Sequence, residues 1–384
     1  MRMARRFSLL AAGLIVAAAA VLPARRGLHG LTLVVRAADL HGIGRRLADF
    51  DTVPIQERLT DIPAGAGSIR ARVYAPIARP RQAVLLVSGL HPAGIDEPRL
   101  VALARKLAEA NVTVVTPDIE ELSRFEVTPV VTDRIEDAAV WLATKSGLTP
   151  SGRIGLMGVS FSGGLAVVAA GRASLSGHLL YVFSFGGHDD LHRVLDYFCT
   201  GGEDVRTELP APHDYGVAIV LVNVAEHLVP SEQVEPLRIA VRRFLWASYV
   251  DRLDKRRAEL EFAALREVAR TLPEPAATLL RYVNDRDVGR LGPRLQPHIS
   301  AYVDQPALSP VRSPAPSAPI YLLHGSEDNV IPTDESRHLA DRLRGRVPVR
   351  LLVTDLISHA DATGPAHTAD VLKLAAFWGD LLAR

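Results

Sequence analysis

The stretch Arg153-Ile-Gly-Leu-Met-Gly-Val-Ser-Phe-Ser-Gly-Gly164 decides how this chain is read. Ile154–Met157 is a short apolar run of the kind buried on both faces of a sheet. Phe161–Ala170 is a small-residue helix that begins one residue after Ser160. A serine caught between a strand and a helix has its backbone bent sharply and its Oγ exposed. Gly158 before it and small residues after it let the strand and helix pass without collision. The first turn of the helix adds a positive field that favours developing negative charge. Ser162 opens a second frame, Ser160-x-Ser162-x-Gly164. Ser160 is preferred because it follows the strand directly and has its own Gly158 two residues earlier.

On both sides of this stretch the chain alternates. Val53–Leu59 and Ile69–Tyr74 read as strands joined by the turn-like Pro63-Ala-Gly-Ala-Gly-Ser68. Ala83–Val87 is a buried strand, Pro98–Ala110 a helix, Val112–Val115 a strand and Asp133–Thr144 a helix. Leu179–Phe185 is a further strand. This order implies a parallel sheet with helices on both faces. From Asp189 to Leu308 helix formers dominate, most clearly in Ser231–Thr271, and the Pro/Ser-rich Ala307–Pro319 closes the segment. Alternation then resumes with strand Ile320–Leu323, helix Asp334–Leu343, strand Val349–Thr354 and helix Ala366–Leu382.

Three further segments carry the chemistry. In Ile320-Tyr-Leu-Leu-His-Gly-Ser-Glu-Asp-Asn-Val-Ile-Pro332 an apolar strand ends just before Asp328, which can accept the Nδ1 proton of a histidine and stabilise the imidazolium. Thr333 is the better candidate to cap the next helix. Asp190 is a rival acid. In Val349-Arg-Leu-Leu-Val-Thr-Asp-Leu-Ile-Ser-His-Ala-Asp-Ala-Thr-Gly364 the strand is followed by His359, and His367 is the rival base. In Ala83-Val-Leu-Leu-Val-Ser-Gly-Leu-His-Pro-Ala-Gly94 a strand ends at Ser88-Gly89. His91 lies near this strand end, with a surface role equally open.

Taken in this order, the segments resemble the α/β-hydrolase superfamily, including its esterases, lipases and dienelactone hydrolases. The resemblance spans residues 53–384 apart from the helical segment. The usual Gly-x-Ser-x-Gly elbow has Ser162 in its last place, and Ser88-Gly89 stands where relatives often have His-Gly. The resemblance implies a doubly wound, mostly parallel sheet with a helical cap insertion. It also implies a triad of Ser160, Asp328 and His359, with an oxyanion hole from the backbone N–H groups of Leu90 and Phe161. The corresponding boundaries are a core first part at 53–188, a cap or lid at 189–308 and a core second part at 309–384, preceded by a helical lead-in at 28–52. The activity implied is cleavage of ester-type acyl bonds on a small-molecule substrate, without metal or organic cofactor. Peptidase, thioesterase and acyltransferase chemistry would use the same groups. A non-catalytic, membrane-tethered binding protein on the same fold is the alternative from another class.

Composition narrows the rest. The formal net charge is +1 and 48% of residues are hydrophobic, which gives no global electrostatic case for a nucleic-acid partner. The single cysteine, Cys199, can form no internal disulfide, and its surroundings carry no nucleophile signature. Arg2, Arg5 and Arg6 precede the apolar run Phe7–Leu22, followed by Pro23 and Arg25–Arg26. Residues 1–27 therefore read as a secretory signal or an N-terminal membrane anchor, with the chain exported or held at the cell envelope. Oligomeric state is left open by the sequence.

Overall fold

The computed structural model describes residues 26–37, 49, 51–65, 67–201, 209–357 and 368–384. The apolar run Phe7–Leu22 lies outside the described residues. No helix among the described residues is long and apolar enough to cross a membrane.

The core is one eight-stranded sheet. Its strands are β1 (Ile55–Ala64), β2 (Gly67–Pro76), β3 (Gln82–Val87), β4 (Val112–Pro117), β5 (Ile154–Val159), β6 (Leu179–Phe185), β7 (Ile320–Gly325) and β8 (Val349–Thr354). The order across the sheet is β1-β2-β4-β3-β5-β6-β7-β8. The β1–β2 hairpin is antiparallel, β2 meets β4 antiparallel, and every later pairing is parallel. This is the doubly wound, mostly parallel arrangement of the α/β-hydrolase fold. The hairpin strands run further towards their shared turn than their β-branched cores suggested, because paired backbone carries them through Pro63 and Ser68.

The apolar runs form strands because both faces of the sheet are covered. In β3 every residue is buried. Ala83, Leu85 and Val87 face one hydrophobic cluster, while Val84 and Leu86 face the other. That alternation is the two-residue period of a strand. One face is covered by α1 (26–37), α2 (Pro98–Glu109) and the C-terminal helix Thr368–Leu382. The opposite face holds α3 (Pro129–Thr144), α4 (Phe161–Ala170) and Thr333–Leu343.

Between β6 and β7 the chain is helical. It forms α5 (Leu191–Thr200), α6 (Gly216–Val224), α7 (Ser231–Asp251), α8 (Lys255–Thr271), α9 (Ala276–Asn284) and α10 (Val288–Val303). These helices do not enclose a separate core. Leu237, Phe244, Leu265, Leu280 and Leu295 belong to the same hydrophobic cluster as Leu165 of α4. Phe244 and Phe262 pack at a tilt within the insertion, their ring centroids 5.6 Å apart, and Tyr249 reaches across to His91 of the sheet's own loop, with ring centroids 4.5 Å apart.

Candidate active site

Ser160 occupies the turn between β5 and α4 with φ +57° and ψ −133°. A non-glycine residue in this region stores about 1–3 kcal/mol of backbone strain, which persists only where neighbours hold it. Two hydrogen bonds do so: Ser160 N–H donates to the Phe185 carbonyl at 2.7 Å, and Gly163 N–H donates to the Ser160 carbonyl at 2.7 Å. Gly158 is required by space, since a Cβ there would lie 2.0 Å from the Ser162 carbonyl oxygen. Gly158→Ala is expected to push the strand and helix apart. The loss should be at least about 1–3 kcal/mol of stability, read as a lower urea midpoint.

The strained turn also separates the two serine frames. Ser160 carries the positive φ, whereas Ser162 lies within the first turn of α4, fully buried. Its hydroxyl donates to the Ser88 carbonyl at the end of β3, at 2.5 Å. The next residue, Gly89, passes close to the elbow: a Cβ on it would lie 3.1 Å from the Ser160 Cβ. Among the described residues no acceptor takes up the backbone N–H of Leu90 or of Phe161. Sequence reasoning treated Ser162 as a small residue of the elbow and as the rival serine frame, and gave no sign of this bond. Its hydrogen bond joins residues far apart in the chain and leaves no local signal.

Asp328 sits beyond β7, which is separated from β5 by β6 alone, and it is 1% exposed. Its Oδ1 accepts from Val330 N–H at 2.8 Å and Ile331 N–H at 3.0 Å. Its Oδ2 lies 3.3 Å from Nε2 of His324, a fully buried residue at the end of β7. That ring donates from Nε2 to the Ile331 carbonyl at 2.9 Å and accepts at Nδ1 from the Ser336 hydroxyl at 2.6 Å. His324 therefore braces the loop that carries the carboxylate. The sequence showed it only as the end of an apolar strand.

One expectation about a neighbouring group is corrected. Thr333 does not cap its helix. Pro332 is the N-cap residue, and the Thr333 hydroxyl donates to the Gly325 carbonyl at 2.6 Å, fastening the helix to the end of β7. Asp190, the rival acid, caps α5 by accepting from His192 N–H at 3.0 Å. Its neighbour Asp189 is gripped by Arg342, at 3.0 and 2.7 Å.

The expected base, His359, and its rival, His367, both lie outside the described residues. One residue separates His359 from Ile357, just past β8, which pairs in parallel with β7. His91 is half-buried in the loop after Leu90 and accepts at Nδ1 from Ala93 N–H at 3.2 Å. Burial is the main cause that lowers its pKa from 6.5 to about 4; Glu97 opposes this, while Arg99 and Arg252 assist it. The same two arginines act on the Tyr215 hydroxyl, which burial and the Asp328 carboxylate push up.

A neutral buried His91 has a consequence for stability. Between pH 6.5 and about 4 the unfolded chain binds this proton and the folded protein does not. Stability is therefore expected to fall as pH drops through that window and to level off below it, by up to about 3 kcal/mol. In His91→Gln that share of the slope should vanish, as measured by denaturant midpoints at pH 7 and 4.5.

Cys199 is buried, and burial pushes its thiol up to about 12. Such a thiol is a poor nucleophile near neutral pH. A cavity of about 420 Å³ lies beside Asp328, bounded by Leu209, Pro210, Ser326, Glu327, Thr333 and Arg337 among others.

No family model matches the chain, and no curated protein matches its sequence. Solved structures do resemble it. An esterase from Pyrobaculum calidifontis is 17% identical, with 93% of this chain and 92% of that one covered, at a TM-score of 0.46. A putative dienelactone hydrolase from Klebsiella pneumoniae is 14% identical, covering 86% and 98%, at 0.42. A dienelactone hydrolase from Anabaena variabilis is 16% identical, covering 84% and 96%, at 0.43.

Proposed function

We propose that this chain is a serine hydrolase that cleaves ester-type acyl bonds through Ser160, His359 and Asp328. The observation that carries the reading is the backbone of Ser160. A non-glycine residue at φ +57° between a parallel strand and a helix is costly, and it puts one hydroxyl at the helix N-terminus.

In this mechanism His359 takes the Ser160 proton as Oγ attacks the substrate carbonyl. The N–H groups of Leu90 and Phe161 receive the oxyanion, each contributing about 3–4 kcal/mol to lowering the barrier. Asp328 holds the imidazole in the tautomer with its proton on Nδ1 and stabilises the imidazolium. His359 then protonates the leaving alcohol, and water repeats the cycle on the acyl-enzyme. Carboxylic esters are the substrate class proposed, being the least demanding acyl donors for this set of groups. We also propose that residues 1–27 direct the chain to the cell envelope, as a signal or an anchor. Cell fractionation with a C-terminal tag tests this, and a purely cytosolic product would end it.

The direct test of the activity uses wild-type protein, a panel of short- to medium-chain acyl esters and a fluorophosphonate probe. The expected result is burst kinetics and probe attachment mapped to Ser160. Absence of both turnover and labelling would overturn the proposal.

A further inference from the structure

We propose that Ser162 is a positioning residue for the oxyanion loop, acting through the Ser88 carbonyl. The inference rests on the serine-hydrolase reading above and adds to it a function for the one residue that departs from the usual elbow pattern.

The geometry supports this in three steps. First, the Ser162 hydroxyl is fully buried and spends its proton on the Ser88 carbonyl at 2.5 Å. A buried hydroxyl is retained at a cost unless it is bonded, and a methyl or a hydrogen would fill this place in α4 equally well. Second, the residue directly after Ser88 is a glycine, and the loop's next anchors come further on, in the His91–Tyr249 ring contact and the bond from Gly94 N–H to the His91 carbonyl. Gly89 has no side chain, and a peptide flanked by glycine rotates more freely than any other. Rotation of the Gly89–Leu90 peptide would turn the Leu90 N–H away and present a carbonyl to the same space. Third, Gly89 lies directly against the nucleophile, where a Cβ would stand 3.1 Å from the Ser160 Cβ. A small rotation there is thus felt at the reacting atom.

Ser162 also stands next to Phe161, whose N–H is the other proposed donor. The hydroxyl therefore fastens the element carrying one donor to the strand end leading to the other. Such a bond matters most when charge appears on the substrate oxygen, and little when neutral substrate binds. Its loss should act on kcat and leave KM nearly unchanged.

The test compares Ser162→Ala, Ser162→Gly and Ser162→Thr with wild type. Both small variants fit the space, and glycine is the residue the usual pattern would place there. Alanine and glycine are each expected to lower kcat about tenfold, with KM within about twofold. Affinity for a boronic acid that mimics the tetrahedral adduct should fall by the same factor, while threonine, which keeps the hydroxyl, should restore most of kcat. Urea midpoints of all variants accompany the kinetics.

Wild-type kcat and unchanged boronate affinity in both the alanine and the glycine variants would overturn the positioning role and leave the hydrolase reading standing. Equal loss in all three variants, following their stability, would also overturn it. Wild-type protein with neither turnover nor labelling would overturn the hydrolase reading, and this inference with it.

Discussion

Ser160→Ala is expected to lower kcat on an ester substrate on the order of 10⁴-fold or more and to abolish fluorophosphonate labelling. The neighbouring serine is not placed to take over. Ser162, two residues on, has committed its proton to the Ser88 carbonyl inside a fully buried turn of α4. The variant should fold. Alanine fills the same backbone position, and the bonds from Ser160 N–H to Phe185 and from Gly163 N–H to the residue 160 carbonyl involve main-chain atoms only. Matching denaturation midpoints would show that lost turnover reflects lost chemistry. Turnover within tenfold of wild type would remove Ser160 from the mechanism.

The second large effect is expected at Asp328. Asp328→Asn should reduce kcat about 10²- to 10⁴-fold, because an amide cannot stabilise the imidazolium and can favour the wrong histidine tautomer. Asparagine is the informative replacement here. Its carbonyl oxygen can still accept from Val330 and Ile331 N–H, so the turn keeps its two backbone bonds. Asp328→Ala would leave both donors buried and unmatched, costing about 1–3 kcal/mol for each and confusing activity with folding. Asparagine does place an NH₂ where Oδ2 stands 3.3 Å from the His324 Nε2–H, which adds a mild repulsion. An Asp328→Asn variant with near-wild-type kcat would show that the acid is supplied elsewhere. It would not revive Asp190, whose carboxylate is occupied at the start of α5.

The contact between the sheet's loop and the helical insertion adds a feature that neither variant probes. His91 from the sheet's loop and Tyr249 from α7 meet edge to face. Leu90, the proposed donor, immediately precedes His91, so the helical insertion leans on the loop that carries the proposed oxyanion donor. The merged hydrophobic cluster fits this picture, since the insertion shares a core with α4 and has no separate one. Aromatic residues such as Phe244 and Phe262 could equally have lined a lid. They pack against each other, with the Arg286 guanidinium 5.6 Å from both rings.

Much of the fold was written locally. The all-apolar β3 and β5 segments, the Gly158-Val-Ser160 turn and the helical period of Ser231–Thr271 each express preferences of neighbouring residues. Backbone strain at a strand-to-helix turn and burial on two faces depend on what lies a few positions away. They therefore survive in a linear reading. Ser160 and Asp328 stood out as candidates for the same reason, each being tied to the end of its own strand.

Other features were decided by three-dimensional packing. The bond from Ser162 to Ser88 spans two strands, and the contact between His324 and Ser336 needs a helix folded back onto β7. Thr333 looked like a cap because its neighbours are acidic, yet the nearby Gly325 carbonyl claimed its hydroxyl once the helix docked. A hydrogen bond goes to whichever acceptor packing brings within reach, and the order of residues along the chain does not specify that acceptor. The sequence by itself therefore determined the elements, their alternation and the turn that strains Ser160. Only the tertiary structure decided which buried polar groups found one another, because that depends on distances set by the twisted sheet and the helices laid across it.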